Sequence, residues 1–220
     1  MKKILAIILT AIPILSIAKK SEAPDTISVR RAFLEMPAMV LDLIPKDTRG
    51  DMLIYFDNDS IWEAQNALDG RSKLMEVTPD YLKVNVTSVS QLQLKVLHGK
   101  KGDVVMSIYT VGTEDGGTID SDIRFFDTSM SELDGSKYLS IPQLKDFFEF
   151  PKGSSTKMSD IEEMMPFYTL MADASPESEE ITMTLTPDGF LSVEDMNLVR
   201  LFMKPTLKYS WDGNKMKIKN

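Results

Sequence analysis

The sequence predicts an α+β protein, mostly antiparallel β-sheet with helices packed on one face. Two observations predict this class. Apolar residues recur at helical spacing in several segments, among them 27–44 and 192–203. In other segments, such as 82–86 and 92–96, apolar and polar residues alternate, which is typical of antiparallel strands with one face in water. Helical segments precede strand segments in both halves of the chain, an order that allows two related halves.

The first helical segment carries a proline inside its apolar stripe. Pro37 removes a helix hydrogen bond, so we expect a kinked helix or two short helices, the second ending before Pro45. Asp47 is placed to cap a further helix. A short helix is expected over 61–68, where the Asp69-Gly70 pair ends it.

The middle of the chain changes to strand patterns. Residues 104–111 are apolar on both faces, which indicates a central strand. The expected elements are strands at 82–86 and 92–96, a turn at 98–102, the central strand, a polar loop at 112–122 and a strand at 123–126.

The second half begins with helical signals and ends with a hairpin. Ser159 to Glu162 has the form of a capping box, and Ser192 is placed to cap a later helix. Asp212-Gly213 lies between two alternating runs, which is typical of a hairpin turn. The expected elements are helices at 140–148, 159–165 and 192–203, and strands at 167–172, 181–185, 207–211 and 216–218.

The first 18 residues have the pattern of a secretory signal peptide. Two lysines precede an apolar run from Ile4 to Ile17, and small residues stand three before and one before the expected cleavage after Ala18. The apolar run is shorter than the roughly 20 residues that span a membrane. We therefore expect an exported, periplasmic protein without a stable membrane anchor once 1–18 is removed. Residues 19–220 form a single α+β domain in this prediction, with a subdivision near 128–140 left open.

Composition excludes several classes of protein. Removing 1–18 takes away two lysines, so 23 basic residues face 33 acidic ones and the charge becomes −10. A nucleic-acid-binding protein needs a basic face to displace counterions from phosphate, so nucleic acid is not expected as a partner. The chain has no cysteine, which excludes thiol catalysis and cysteine-ligated metal sites.

No catalytic or cofactor-binding motif stands out in the sequence. It contains no G-x-S-x-G and no phosphate-binding glycine loop, and no catalytic residues or cofactor are assigned. His98, the only histidine, is expected to be an exposed turn residue. Trp62 and Trp211 can stack on sugar rings, although the alternation around Trp211 favours packing. No metal is expected; the closest approach to a cation site is the polar loop with Asp115, Asp120 and Asp122.

Several stretches resemble a Bacteroidales family of exported proteins of unknown function. They are Phe33 to Pro37, Leu41 to Ile44, Asp51-Met52, Ser72 to Met75, Thr78 to Leu82, Ser121 to Phe126 and Tyr209 to Gly213. The resemblance implies an envelope setting in a Gram-negative bacterium and supplies no catalytic residues. It also implies O-glycosylation at Asp-Ser/Thr motifs, for which Thr26 and Ser60 are the candidates.

These observations favour a non-catalytic binding or interaction protein of the cell envelope, whose partner is a protein or an envelope component. Edge-strand pairing is one mode by which such a domain binds a partner. The alternative is a hydrolase that acts on glycan or peptide through carboxylates gathered by the fold. A deep cleft with two or more acids and aromatic walls favours the hydrolase, whereas an apolar patch or an unpaired sheet edge favours the binding protein.

Overall fold

Antiparallel strands dominate the computed structural model, which describes residues 25–60, 62–114, 119–187 and 191–219. The signal segment and Ala18 lie outside these ranges. The helices are α1 Val29–Glu35, α2 Lys46–Asp57, α3 Met158–Met164 and α4 Val193–Arg200. The strands are β1 Ala64–Gln65, β2 Arg71–Val77, β3 Tyr81–Asn85, β4 Ser90–Leu97, β5 Val104–Gly112, β6 Ile119–Phe126, β7 Glu132–Leu133, β8 Leu170–Ala174, β9 Glu180–Leu185, β10 Thr206–Trp211 and β11 Met216–Ile218. This content confirms the α+β prediction.

Each strand pairs with its neighbour in sequence, so both sheets are meanders. The first sheet has seven strands in the order β1 to β7, and the second has four in the order β11-β10-β9-β8. All pairs are antiparallel. Alternating sequence places Leu82, Leu92 and their neighbours on one face of the first sheet, as the period of two requires.

The first sheet is covered on both faces. On one face, α1, α2 and the segment 36–44 bury an apolar core that includes Phe33, Ile44 and Leu94. On the opposite face, the second sheet closes a separate core. Its buried members from the first sheet are Tyr81, Leu97, Val104, Met106, Ile108 and Phe125, and those from the second sheet are Ala172, Ala174, Ile181, Met183, Tyr209, Trp211 and Met216. A third cluster packs α3, α4 and the 3₁₀ turn Leu144–Phe147 around Leu185 and Val199.

The edge of β8 lies against side chains of the first sheet. The backbone N–H groups of alternate residues Leu170, Ala172 and Ala174 donate to Asp120 Oδ1 at 3.1 Å, Ser121 Oγ at 2.9 Å and Gln93 Oε1 at 2.8 Å. The outward edge of an end strand normally has unpaired backbone groups. Here the side chains of the first sheet satisfy them, so β8 joins the two sheets.

Arg49 explains why the predicted second helix before Pro45 is wrong. Its guanidinium is buried and donates to the carbonyl oxygens of Met36 and Leu41 at 2.6 Å, Ile44 at 2.9 Å and Phe33 at 3.3 Å. In a continued helix the Phe33 and Leu41 carbonyls would face Pro37 and Pro45, which have no N–H to donate, so Arg49 satisfies carbonyls that the helix could not. The chain therefore leaves the helix at Glu35 and runs irregularly to α2.

The predicted helix over 61–68 is also wrong. The described residues form β1 and a turn, in which the Asn66 side-chain oxygen accepts from the N–H groups of Leu68 and Gly70, both at 3.0 Å. Such local side-chain bonds compete with helix formation. The strand that follows, β2, was not predicted; a bulge between Leu74 and Glu76 breaks its alternation.

Other boundaries moved, the helix predicted at 140–148 is wrong in type, and the cap predicted at Ser159 is wrong because Lys157 is the N-cap of α3. The loop after β5 is shorter than 112–122, because β6 already begins at Ile119. The segment 140–148 forms only a 3₁₀ turn, α3 begins at Met158, and β8 begins at Leu170. The cap at Ser192, the central strand β5 and the closing hairpin are confirmed. In the described ranges, no helix has the length and apolar character that crossing a bilayer requires.

Candidate functional site

Three polar side chains stand in register across the first sheet. Lys73 of β2 lies directly opposite Asn85 of β3, which lies opposite Gln91 of β4. Directly opposed residues share a face, so the three form a continuous polar row. The row lies on the face that the second sheet covers elsewhere, and each of its members is half-buried.

The side chains of the polar row have no hydrogen-bond or ion-pair partner among the described residues. Gln93, two residues along β4 on the same face, is fully engaged. Its amide donates to Asp173 Oδ1 at 2.9 Å and accepts from the N–H of Ala174. The same residue type is thus bonded where β8 covers the sheet and unbonded where the sheet is open.

The polar row forms the floor of a groove made of two adjoining depressions. One has a volume of about 240 Å³ and contains Gln91, Thr110 and Met171 in its lining. The other has a volume of about 530 Å³ and contains Lys73 and Arg71. Both depressions are lined by Asn85, Thr87 and Ser88, so they meet above the row. We call this feature the polar groove.

An aromatic cleft lies at the β1–β2 edge of the first sheet. It shares Lys73 with the polar groove, but Leu74 and α2 place it on the helix-covered face. Tyr55 of α2 stacks on Trp62, with ring centroids 4.6 Å apart and an angle of 27° between the ring planes. The cleft has a volume of about 190 Å³; the residues that line it are Met52, Tyr55, Phe56, Asp59, Ser60, Trp62, Lys73 and Leu74. Tyr55 is 43 % exposed, so the stack reaches the surface.

The end of α2 positions the polar rim of this cleft. The Asn58 amide donates to the Ile54 carbonyl at 2.8 Å, and Asp59 adopts a positive φ of 51°, which turns the chain out of the helix. The Ser60 N–H then bonds the Tyr55 carbonyl at 3.0 Å. The side chains of Asp59 and Ser60 have no partner among the described residues and are exposed. They offer a carboxylate and a hydroxyl beside the aromatic pair.

The His98 side chain is half-exposed and has two acidic partners. Nδ1 lies 2.9 Å from Asp103 Oδ1 and Nε2 lies 3.3 Å from Asp80 Oδ1. The hydrogen bond with Asp103 raises the pKa of His98, and Asp80 adds to that effect against partial burial. The backbone of His98 also donates to Glu179 and accepts from the Trp211 indole. These contacts join β3, β4 and the second sheet, and Trp211 is used for packing as expected.

The candidate cation residues are placed as follows. Asp115 lies outside the described ranges. Asp120 accepts from the Leu170 N–H, and Asp122 pairs with Arg124 at 2.6 Å. Among the described residues, no group of three or more histidine or acidic side chains is arranged to hold a metal ion. The glycosylation candidates Thr26 and Ser60 are both exposed, and Ser60 belongs to the rim of the aromatic cleft.

Sequence analysis missed the polar row and the partnership of Tyr55 with Trp62. The alternation of β3 and β4 placed Asn85 and Gln91 on the polar face of these strands, but Lys73 joins them only through β2, which was not predicted. The site supplies amide, hydroxyl and ammonium groups beside aromatic rings, with one carboxylate in the aromatic cleft and one, Glu63, in the polar groove. It can therefore bind a ligand through many hydrogen bonds, and neither depression brings two acids together.

Comparison with known proteins relates the chain to a family and to solved structures. A family model described as a protein of unknown function (DUF3256) matches residues 24–216. Among solved structures, the chain is similar to a domain of an uncharacterized protein from Porphyromonas gingivalis W83, with a TM-score of 0.73 and 19 % identity over 87 % of this chain and 97 % of that one. At this identity the likeness shows the fold alone. A comparison with curated proteins gives no match.

Proposed function

Since the chain belongs to the DUF3256 family of proteins of unknown function, we propose from its site that it is an exported, non-catalytic binding protein. In this proposal it works in the periplasm and holds a protein or envelope component in the polar groove and the aromatic cleft.

The observation that carries the proposal is the unbonded polar row. Lys73, Asn85 and Gln91 are half-buried, in register and without partners in the described part of the chain. Half-buried polar groups usually have hydrogen-bond partners, from the protein or from water. A ligand that displaces loosely held water from this row and bonds the same groups gains affinity from them.

The hydrolase alternative receives less support from the same geometry. Acid–base cleavage of a glycan needs two carboxyl groups roughly 5–10 Å apart across the bond. The aromatic cleft contributes Asp59 and the polar groove contributes Glu63, and these acids line different depressions. Binding is therefore the better-supported activity.

A matched pair of triple variants tests the binding function. Purified protein is titrated with a panel of random-sequence peptides and soluble oligosaccharides, and binding is followed by fluorescence anisotropy. K73A/N85A/Q91A should weaken any saturable binding at least tenfold without changing the thermal midpoint by more than a few degrees. The control K208A/N197A/N214A removes exposed side chains of the same kinds elsewhere and should leave binding unchanged.

Two outcomes contradict this proposal. The first is equal binding by both variants, which would place the ligand elsewhere. The second is turnover of the probes, detected as new amino termini or new reducing ends, which would establish the hydrolase.

Export and modification have their own test. The proposal expects native protein in the periplasmic fraction with Lys19 as its first residue, because the residues before Ala18 have the pattern of a cleaved signal. Amino-terminal sequencing that begins at Met1 would contradict export by this route. Mass spectrometry of the same sample tests glycosylation, and unmodified Thr26 and Ser60 would exclude it.

A further inference from the structure

We infer that the ligand of the polar groove is an extended polypeptide segment, held mainly through its backbone, with one apolar side chain in the aromatic cleft. The inference rests on the proposed binding function and names the chemistry of its ligand.

The molecule already binds one extended strand in this way. The first sheet receives β8 through side chains, because Asp120, Ser121 and Gln93 accept hydrogen bonds from alternate N–H groups of that strand. Just beyond the C-terminal end of β8, the Lys95 ammonium donates to the Pro176 carbonyl at 3.3 Å. Hydroxyl, amide and ammonium groups of one sheet face, together with a carboxylate at the start of β6, thus recognise a polypeptide backbone without a strand-to-strand ladder.

The polar row repeats this chemistry beside β8. Gln91 stands two residues from Gln93 on the same strand and face, and Asn85 lies directly opposite Gln91. An amide side chain both accepts and donates, so it can bond the N–H and the C=O of a peptide unit. Lys73 can bond a carbonyl, as Lys95 does.

The dimensions of the row suit a short stretch of backbone. Lys73, Asn85 and Gln91 occupy three adjacent strands, so the row spans roughly 10 Å at about 4.8 Å per strand. An extended polypeptide covers that distance in about three residues at roughly 3.3 Å each. Thr110 opposite Gln91 continues the groove by one further strand.

The aromatic cleft supplies the place for a side chain. It lies across the sheet edge from the polar groove, and Lys73 lines both. Its volume is about 190 Å³, and its lining includes the apolar side chains of Met52, Phe56 and Leu74. Since Tyr55 and Trp62 cover one face of each other, only the outer faces and edges of the two rings are open to a ligand, and an apolar side chain packs on such a surface. In peptide recognition, hydrogen bonds to the backbone usually give the affinity, and a pocket for a side chain gives the specificity.

The experiment selects dodecapeptides from a random library on the purified protein and measures their dissociation constants. We expect the selected peptides to share one apolar position and otherwise to vary. N85A/Q91A should weaken binding at least tenfold, and replacing the shared residue by aspartate should weaken it equally. The control N197A/N214A should change the dissociation constant less than twofold.

Backbone methylation gives a readout that a purely structural effect of the variants would not reproduce. N-methylation at positions within two residues of the apolar anchor should weaken binding to the unaltered protein at least tenfold, whereas methylation near the peptide ends should not. Binding that ignores N-methylation, or that survives N85A/Q91A, overturns the inference.

Failure of the inference is distinguishable from failure of the proposed function. If soluble oligosaccharides bind, are lost in K73A/N85A/Q91A and no peptide binds, the protein is a binding protein for glycans and the polypeptide inference is wrong. If neither class binds at the groove, both proposals are wrong.

Discussion

Arg49 holds the end of α1 and the irregular segment after it in place through five backbone carbonyls. Replacing it by methionine leaves those carbonyls buried without donors, at about 1–3 kcal/mol for each unsatisfied group. We expect R49M to lower the free energy of unfolding by roughly 3–5 kcal/mol, measured by urea denaturation. R49K should recover only a small part of this, since one ammonium cannot reach acceptors on several sides. Full stability of R49K would show that the planar guanidinium, with its several N–H donors, is not required.

His98 makes the stability of the protein depend on pH. Asp103 and Asp80 raise its pKa in the folded state, so the protonated form contributes stability. That contribution is complete below the unfolded pKa of about 6.5 and is lost as the pH rises through the higher folded pKa. We expect the difference in unfolding free energy between the unaltered protein and H98Q to be larger at pH 5.5 than at pH 8.5. A difference independent of pH would show that His98 acts through neutral hydrogen bonds only.

Two glutamines on β4 provide a matched test of how the sheets are joined. Q93L removes the acceptor of the Ala174 N–H and the donor to Asp173, and it should destabilise the protein by about 1–3 kcal/mol. Q91L makes the same chemical change on the same face, where nothing is bonded, and should shift stability by no more than about 0.5 kcal/mol. Amide hydrogen exchange of Ala174 should accelerate in Q93L alone. Equal effects in both variants would contradict the bridging role of β8.

The elements that sequence patterns located are those whose apolar side chains lie on one face. Alternation identified β3, β4 and the closing hairpin, because their apolar side chains share one face. The expectation that the other face of β4 lies in water is wrong, since Gln93 and Lys95 are buried against β8 and the turn after it. The pattern failed where side chains bond the backbone: Arg49 after α1 and Asn66 after β1 impose turns that no periodicity expresses. The site could not be predicted either, because the polar row depends on the registration of β2 with β3 and β2 was not predicted.

At the scale of the whole molecule, one core is shared by both sheets. Met106, Ile108 and Phe125 of the first sheet are buried against Ile181, Met183 and Trp211 of the second. We expect a single calorimetric transition whose measured enthalpy equals the van't Hoff enthalpy, as for one cooperative unit. Two separated transitions would instead establish the subdivision near 128–140 as a boundary between independent domains.

The meander order of both sheets has a consequence for how the chain acquires its structure. Neighbouring strands pair locally, which favours fast formation of each sheet. The bonds between the sheets are distant in sequence, with Gln93 and Ala174 separated by 81 positions. A chain synthesised only as far as β7 therefore has every strand of its first sheet while the apolar face around Ile108 is still uncovered. Nascent chains of that length are the form most prone to aggregation, and the form that a holdase chaperone should capture.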